Sequence, residues 1–218
     1  MDGRGRLLAA PWSLILGRSP LVATIVCLTA AVVLAGGVSY QGQQLAARYD
    51  AMDVEHHWLP GYRVDWLTGE PVTAKRGATQ CSAFAAAACQ RLGVYLLRPP
   101  DQGRMMLANA QAAWLPREGV EQGWRPVADP FQAQSLANQG VIVVAVIPGA
   151  NPRLSGHIAL VRPADKPEAL VADEGPQVIQ AGAENAASTS LRQGFRHHPG
   201  AWNSAKDYGV AFFAHDLP

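Results

Sequence analysis

The stretch Asp129-Pro-Phe-Gln-Ala-Gln-Ser-Leu-Ala-Asn-Gln-Gly-Val-Ile-Val-Val-Ala-Val-Ile147 changes its period half-way, and that change decides the fold class. Its first half reads as a helix: Asp129 stands at the N-cap, Pro130 takes the first helical position, where its missing N–H costs nothing, and Gly140 terminates. Its second half, from Val141 to Ile147, is an unbroken apolar run closed by Pro148-Gly149, the pattern of a buried strand.

Upstream the pattern is helical. Cys81-Ser-Ala-Phe-Ala-Ala-Ala-Ala-Cys-Gln-Arg-Leu-Gly93 is an Ala-rich helix with Thr79 near its start and Gly93 as its stop. Cys81, Phe84, Ala85, Ala88, Cys89 and Leu92 recur at helical spacing and predict its buried face. Leu107 to Leu115 is a second helix, closed by Pro116. Downstream the pattern is extended. Gly156 to Pro163 is a strand in which His157, Ala159 and Val161 share a face. Val178 to Gly182 and Tyr208 to His215 are further strands, and Glu168 to Ala172 reads as a short strand or hairpin arm. Helices followed by strands joined through short turns predict an α+β fold with an antiparallel sheet, not a doubly wound one.

The 218 residues carry 18 Lys plus Arg against 17 Asp plus Glu, a net charge of +1, and only 16% are charged. An ordinary soluble domain has about 25%. The near-neutral balance, with no basic stripe, excludes a protein that lives on nucleic-acid phosphates. A hydrophobic content of 49% excludes wholesale disorder. Much of the charge deficit is local, because Arg18 and Arg48 have no charged residue between them.

Pro20 to Tyr40 is about as long as the ~20 residues needed to span a bilayer. Three arginines precede it, so the positive-inside rule predicts a cytoplasmic tail (1–19), a transmembrane helix (20–40), a juxtamembrane stalk (41–60) and an exported domain (61–218). The expected location is a bacterial inner membrane, single-pass, with the domain on the periplasmic side. A cleavable signal peptide ending at Val33-Leu34-Ala35, giving a secreted protein, is the alternative.

An exported chain with three cysteines suggests a disulfide, but the spacing opposes one. Cys27 lies in the apolar run, and Cys81 and Cys89 are separated by about 12 Å along one helix, beyond the ~7 Å that a disulfide tolerates. Cys81 is therefore expected as a free thiol. At the first turn of a helix it meets the positive end of the macrodipole and unsatisfied N–H groups, both favouring thiolate. Its helix face would turn it towards the strand bearing His157, giving the Cys and His pair of nucleophilic catalysis.

Thr79-Gln80-Cys81-Ser82-Ala83-Phe84 opening a helix, and Gly156-His157-Ile158-Ala159-Leu160-Val161 opening a strand, resemble the NlpC/P60 and CHAP superfamily of papain-like cysteine peptidases and amidases. The resemblance spans residues 79 to 215, is specific in those two motifs and weak between them. It implies a helix-borne nucleophile packed on an antiparallel sheet, a His on the sheet, and hydrolysis of amide or peptide bonds in bacterial peptidoglycan. It implies no metal or organic cofactor.

By that pattern the third residue lies on the strand after His157, which gives Gln180; the family more often has His, Asn, Glu or Asp there. Asn185 is the runner-up, with Glu174 and Asp173 behind it. The backbone N–H of Cys81, helped by Gln80, would hold the oxyanion. Trp66, in the turn-rich stretch from Gly61 to Gln80, is a candidate for one wall of the site or for core packing. Asn109 and Trp114 are further substrate candidates. The pairs His56-His57 and His197-His198 lack metal-ligand spacing and read as solvated, and His215 as a strand-end residue. An acyl-transfer or lipid-modifying enzyme on the same fold, or a degenerate module that binds wall peptides, are the rival readings.

Overall fold

A computed structural model describes residues 37–76 and 78–218. In chain order its elements are α1 (Tyr40–Asp50), β1 (Tyr62–Val64), β2 (Pro71–Ala74), α2 (Cys81–Arg91), α3 (Leu107–Trp114), α4 (Glu118–Glu121), β3 (Arg125–Val127) and α5 (Pro130–Asn138). Then come β4 (Ile142–Ile147), β5 (His157–Val161), α6 (Glu168–Glu174), β6 (Gln177–Gln180), β7 (Ala186–Ser190), α7 (Leu191–Gly194) and β8 (Ala211–His215). The change of period at Gly140 is realised as α5 passing into β4. The Asp129 carboxylate accepts the Gln132 N–H at 2.8 Å, and Gly140 turns the chain at a φ of 88°.

Six strands form one sheet in the order β3-β8-β4-β5-β6-β7, every neighbour antiparallel, and β1 and β2 form a separate hairpin. The fold is α+β, as the order of elements predicts. Alternation along the strands divides the interior in two. Ile142, Val144, Val146, Ile158, Leu160 and Ile179 face α1 and α2, whereas Val143, Ala145, Ala159, Val161 and Val178 face α5 and the segment Leu191 to Phe195.

Helix α2 is buried on all sides from Ala83 to Cys89, beyond the single buried face that its spacing predicts. Its alanines explain this, because a helix without bulk on any face can be approached closely from every direction.

The structure corrects the reading of the N-terminal region. A transmembrane helix over 20–40 was the expectation, with a single-pass inner-membrane location resting on it. Among the described residues no helix is long and apolar enough to cross a membrane. The last residues of that segment, 37–39, are not helical, and a different helix starts at Tyr40. The Ser39 hydroxyl accepts from the Gly42 N–H at 3.0 Å, capping α1, and donates to the Asn138 carbonyl at 2.8 Å. Residues 1–36, with the expected cytoplasmic tail and signal-cleavage site, lie outside the described residues.

Residues 41–60, expected as a stalk, belong to the domain. Leu45, Tyr49, Met52, Val54 and Trp58 are at most 4% exposed and join the core around α2. Leu45 and Tyr49 form the buried face of α1, and Met52, Val54 and Trp58 follow in the turns after it. A Cβ on Gly42 would stand 2.2 Å from the Asn138 carbonyl oxygen. Gly42→Ala is therefore expected to lower stability by about 1–3 kcal/mol in thermal unfolding, although alanine gains about 1 kcal/mol in helix propensity. A rise in melting temperature would show that α1 is not seated there. The segment Glu168 to Ala172 is also corrected, being the start of helix α6 and not a strand or hairpin arm.

Candidate active site

Cys81 is the first residue of α2 and is 4% exposed. The residue before it, Gln80, occupies the N-cap position but makes no side-chain cap. Its amide nitrogen donates to the Tyr62 carbonyl at 2.5 Å and its amide oxygen accepts from Arg104 at 3.2 Å. With that side chain turned away, the first N–H groups of α2 remain beside the thiol without a side-chain partner. Burial pushes the Cys81 thiol up from its ordinary value, against the lowering expected from the helix terminus. The neighbouring backbone of Ile158, Ser82 and Cys81 and the Ser82 side chain act in the opposite sense. Cys89 is fully enclosed and is pushed up to about 12 by burial.

His157 opens β5 and is also 4% exposed. Its ring nitrogen Nε2 lies 2.7 Å from Gln180 Oε1. The Gln180 amide nitrogen donates to the Glu184 carbonyl at 3.2 Å, which fixes the oxygen as the end that meets the imidazole. An amide oxygen only accepts, so Nε2 carries the proton and Nδ1 the lone pair. A Cβ on Gly194 would lie 2.6 Å from that same oxygen, so glycine at 194 gives Gln180 its room. Phe195 meets the imidazole edge-on at 4.5 Å between centroids, and His198 stacks on it at 5.2 Å with the planes 12° apart. Burial lowers the His157 pKa to about 4; the Gln180 hydrogen bond raises it, and the His198 and His197 charges lower it.

The two groups reach each other differently from the expected way. Helix α2 covers the sheet face of Ile158 and Leu160, whereas His157, alternating with Ala159 and Val161, belongs to the opposite face. They converge at the end of the sheet. The β5 to β6 ladder pairs only Leu160 with Ile179 and Val161 with Val178, and the start of β5, from His157 to Ala159, lies beyond that pairing. Cys81, His157 and Gln180 all line one pocket of about 200 Å3, with Thr79, Gly182 and His198. Among the described residues no hydrogen bond joins Cys81 to His157.

Other sequence candidates lie elsewhere. Asn185 donates to the carbonyls of Val54, His57 and Trp58 and accepts the Gly182 N–H at 3.0 Å; it ties the segment after α1 to the loop after β6 and does not meet His157. Trp66 packs against the core, and its carbonyl accepts from the Trp58 indole at 2.9 Å. Gln80, committed to Tyr62 and Arg104, lines a neighbouring cavity and not the Cys81 pocket. Asp173 pairs with Arg192 and Glu174 with Lys166, both away from the imidazole.

Asn109 braces the site, since its side-chain oxygen accepts the N–H groups of Gly149 and Gly156 at 2.9 and 2.7 Å and its nitrogen donates to the Leu154 carbonyl. It thereby holds the loop that delivers His157. His198, read from the sequence as solvated, is the stacking partner of the catalytic candidate; no local pattern announces it, because a turn after α7 brings it there. Among the described residues no group of three His, Cys, Asp or Glu side chains could hold a metal ion. No known protein family matches the chain, and no characterised protein matches it significantly.

Proposed function

We propose that this chain is a cysteine hydrolase that cleaves amide or peptide bonds, with Cys81 as nucleophile, His157 as general base and acid, and Gln180 as the residue that orients His157. The observation that carries the reading is the shared pocket, which a thiol at an uncapped helix start and an imidazole of fixed tautomer both line. The resemblance to papain-like peptidases and amidases in the Cys81 and His157 motifs supports peptides of bacterial peptidoglycan as the substrate class.

The chemistry follows from the protonation states. With the thiol raised and the imidazole lowered, the resting pair is neutral, not a thiolate and imidazolium. The thiol proton therefore passes to His157 Nδ1 as sulfur attacks the substrate carbonyl, the two side chains closing on each other as the complex forms. The oxyanion of the tetrahedral intermediate is held by the N–H groups at the start of α2. Collapse breaks the C–N bond, the amine leaves with the proton from His157, and a thioester remains on Cys81. Water, deprotonated by His157, releases the acid and restores the thiol.

The direct test is digestion of purified wall fragments by wild type and by Cys81→Ala, with products read by mass spectrometry. New amine and carboxylate termini from wild type alone support the reading; identical products from both overturn it.

A pH profile gives a second test. The base must be neutral, so kcat/KM is expected to fall as pH drops through about 4 and to hold on the alkaline side of that limb. A carboxylate favours the imidazolium. Gln180→Glu is thus expected to move the acid limb upward by roughly one pH unit or more. An unmoved limb would detach Gln180 from His157.

A further inference from the structure

The larger cavity beside the Cys81 pocket, about 530 Å3, is walled by Arg63, Lys75, Arg76 and Arg104, and among the described residues no Asp or Glu lines it. In a chain of net charge +1 this concentration of one sign is a local field and not a consequence of composition. Eight ion pairs are present among the described residues, and none engages these four cations. Arg104 is fixed, donating to the Val64 carbonyl at 2.5 Å and to Gln80 Oε1 at 3.2 Å. Burial and the neighbouring charge of Arg63 hold its pKa below the ordinary value, with Asp65 acting in the opposite sense. The Asp65 carboxylate is already occupied in its own turn, accepting the N–H groups of Leu67 and Thr68.

The cavity and the Cys81 pocket share Thr79 and Ser155, and Ser82 and Ala83, which follow the thiol directly, line the cavity. The two spaces adjoin at Thr79 and Ser155, so a peptide whose carbonyl meets Cys81 can continue into the cationic space.

We propose that this cavity binds a carboxylate of the peptide substrate, so that acidic peptides are cleaved in preference to neutral ones. The inference rests on the hydrolase reading for its turnover consequences, but its binding consequences stand apart. A lipid phosphate would answer the same charge. The hydroxyls of Thr79 and Ser155, on the wall shared with the Cys81 pocket, favour a peptide, whose backbone they can hydrogen-bond.

The test measures binding to Cys81→Ala by calorimetry, using wall stem peptides with free carboxylates and the same peptides amidated with ammonia and carbodiimide. Phosphatidylglycerol vesicles are assayed in parallel. The acids are expected to bind at least tenfold more tightly than the amides. The advantage should fall with added salt, and about tenfold in a variant carrying Arg63→Gln and Arg76→Gln, both being exposed side chains. Equal binding of acids and amides, binding of neither, or a preference that survives the double substitution overturns the proposal, as does Arg63- and Arg76-dependent binding to vesicles alone. The two readings fail separately. Discrimination in binding without cleavage by the wild type removes the nucleophile and keeps the carboxylate site, whereas cleavage of acids and amides at equal KM does the reverse.

Discussion

Cys81→Ala is expected to abolish hydrolysis while leaving the fold intact. The loss should be roughly 10³-fold or more in kcat/KM, since removing a nucleophile leaves only binding and oxyanion stabilisation. The fold should tolerate the change because α2 is already alanine at Ala83, Ala85, Ala86, Ala87 and Ala88, and alanine is the best helix former. The removed sulfur contributes a small buried volume at a pocket wall, so the melting temperature should move by no more than a few degrees. Both readouts are needed, because loss of activity with loss of fold would say nothing about chemistry. Substantial residual cleavage by a folded Cys81→Ala protein would remove Cys81 from the mechanism.

Acid is expected to destabilise the protein well before its carboxylates titrate. His157 has a folded-state pKa of about 4, set first by burial, against about 6.5 in the unfolded chain. Above pH ~6.5 both states hold the imidazole neutral, and the stability is fully present. Between about 6.5 and about 4 the unfolded chain binds a proton that the folded chain does not, so stability falls as pH falls, and the contribution is exhausted below about 4. The span corresponds to roughly 3 kcal/mol. His198, lowered chiefly by its own burial, adds in the same direction. Urea unfolding of wild type and His157→Gln at several pH values isolates the effect, because other groups titrate in both proteins. The difference in stability between them should shrink as pH falls from 7 to 4. A constant difference would mean that His157 is not held neutral by its surroundings.

The fold was legible wherever one residue pattern meets one environment. The run from Val141 to Ile147 is apolar on both faces because β4 lies between β8 and β5 and is covered on each side. The Asp129, Pro130 and Gly140 signals bound α5 because caps act locally. Helix α6 has seven residues and one buried position, Val171, too little to express a period in the sequence. Helix α1 is masked in the sequence for another reason. Its polar character fits a solvated stalk, and only its docking against Asn138 and the core reveals that Leu45 and Tyr49 are buried.

At the candidate site, residue types were legible and faces were not. Alternation places His157 with Ala159 and Val161, but which face α2 covers is a tertiary fact. The meeting of Cys81 and His157 around one pocket depends on the strands parting near Ile158. Gln180 was accessible through the resemblance, as a polar residue on the strand after that of His157, and its 2.7 Å contact with the imidazole depends on Gly194, which no pairwise motif includes. The cationic cavity was invisible for the same reason, since Arg63, Arg104 and the Lys75-Arg76 pair come from three separate segments.

In the proposed mechanism Cys81 and His157 act as a unit, and peptide-resolved alkylation measures that directly. Iodoacetamide is added at pH 7 to wild type and His157→Gln, and adducts at Cys81 and Cys89 are followed by mass spectrometry. Cys81 is predicted to react at least tenfold faster than Cys89, which is fully enclosed, and to slow about tenfold or more when His157 is replaced. Equal sluggishness of the two thiols, or a Cys81 rate indifferent to His157, would contradict it.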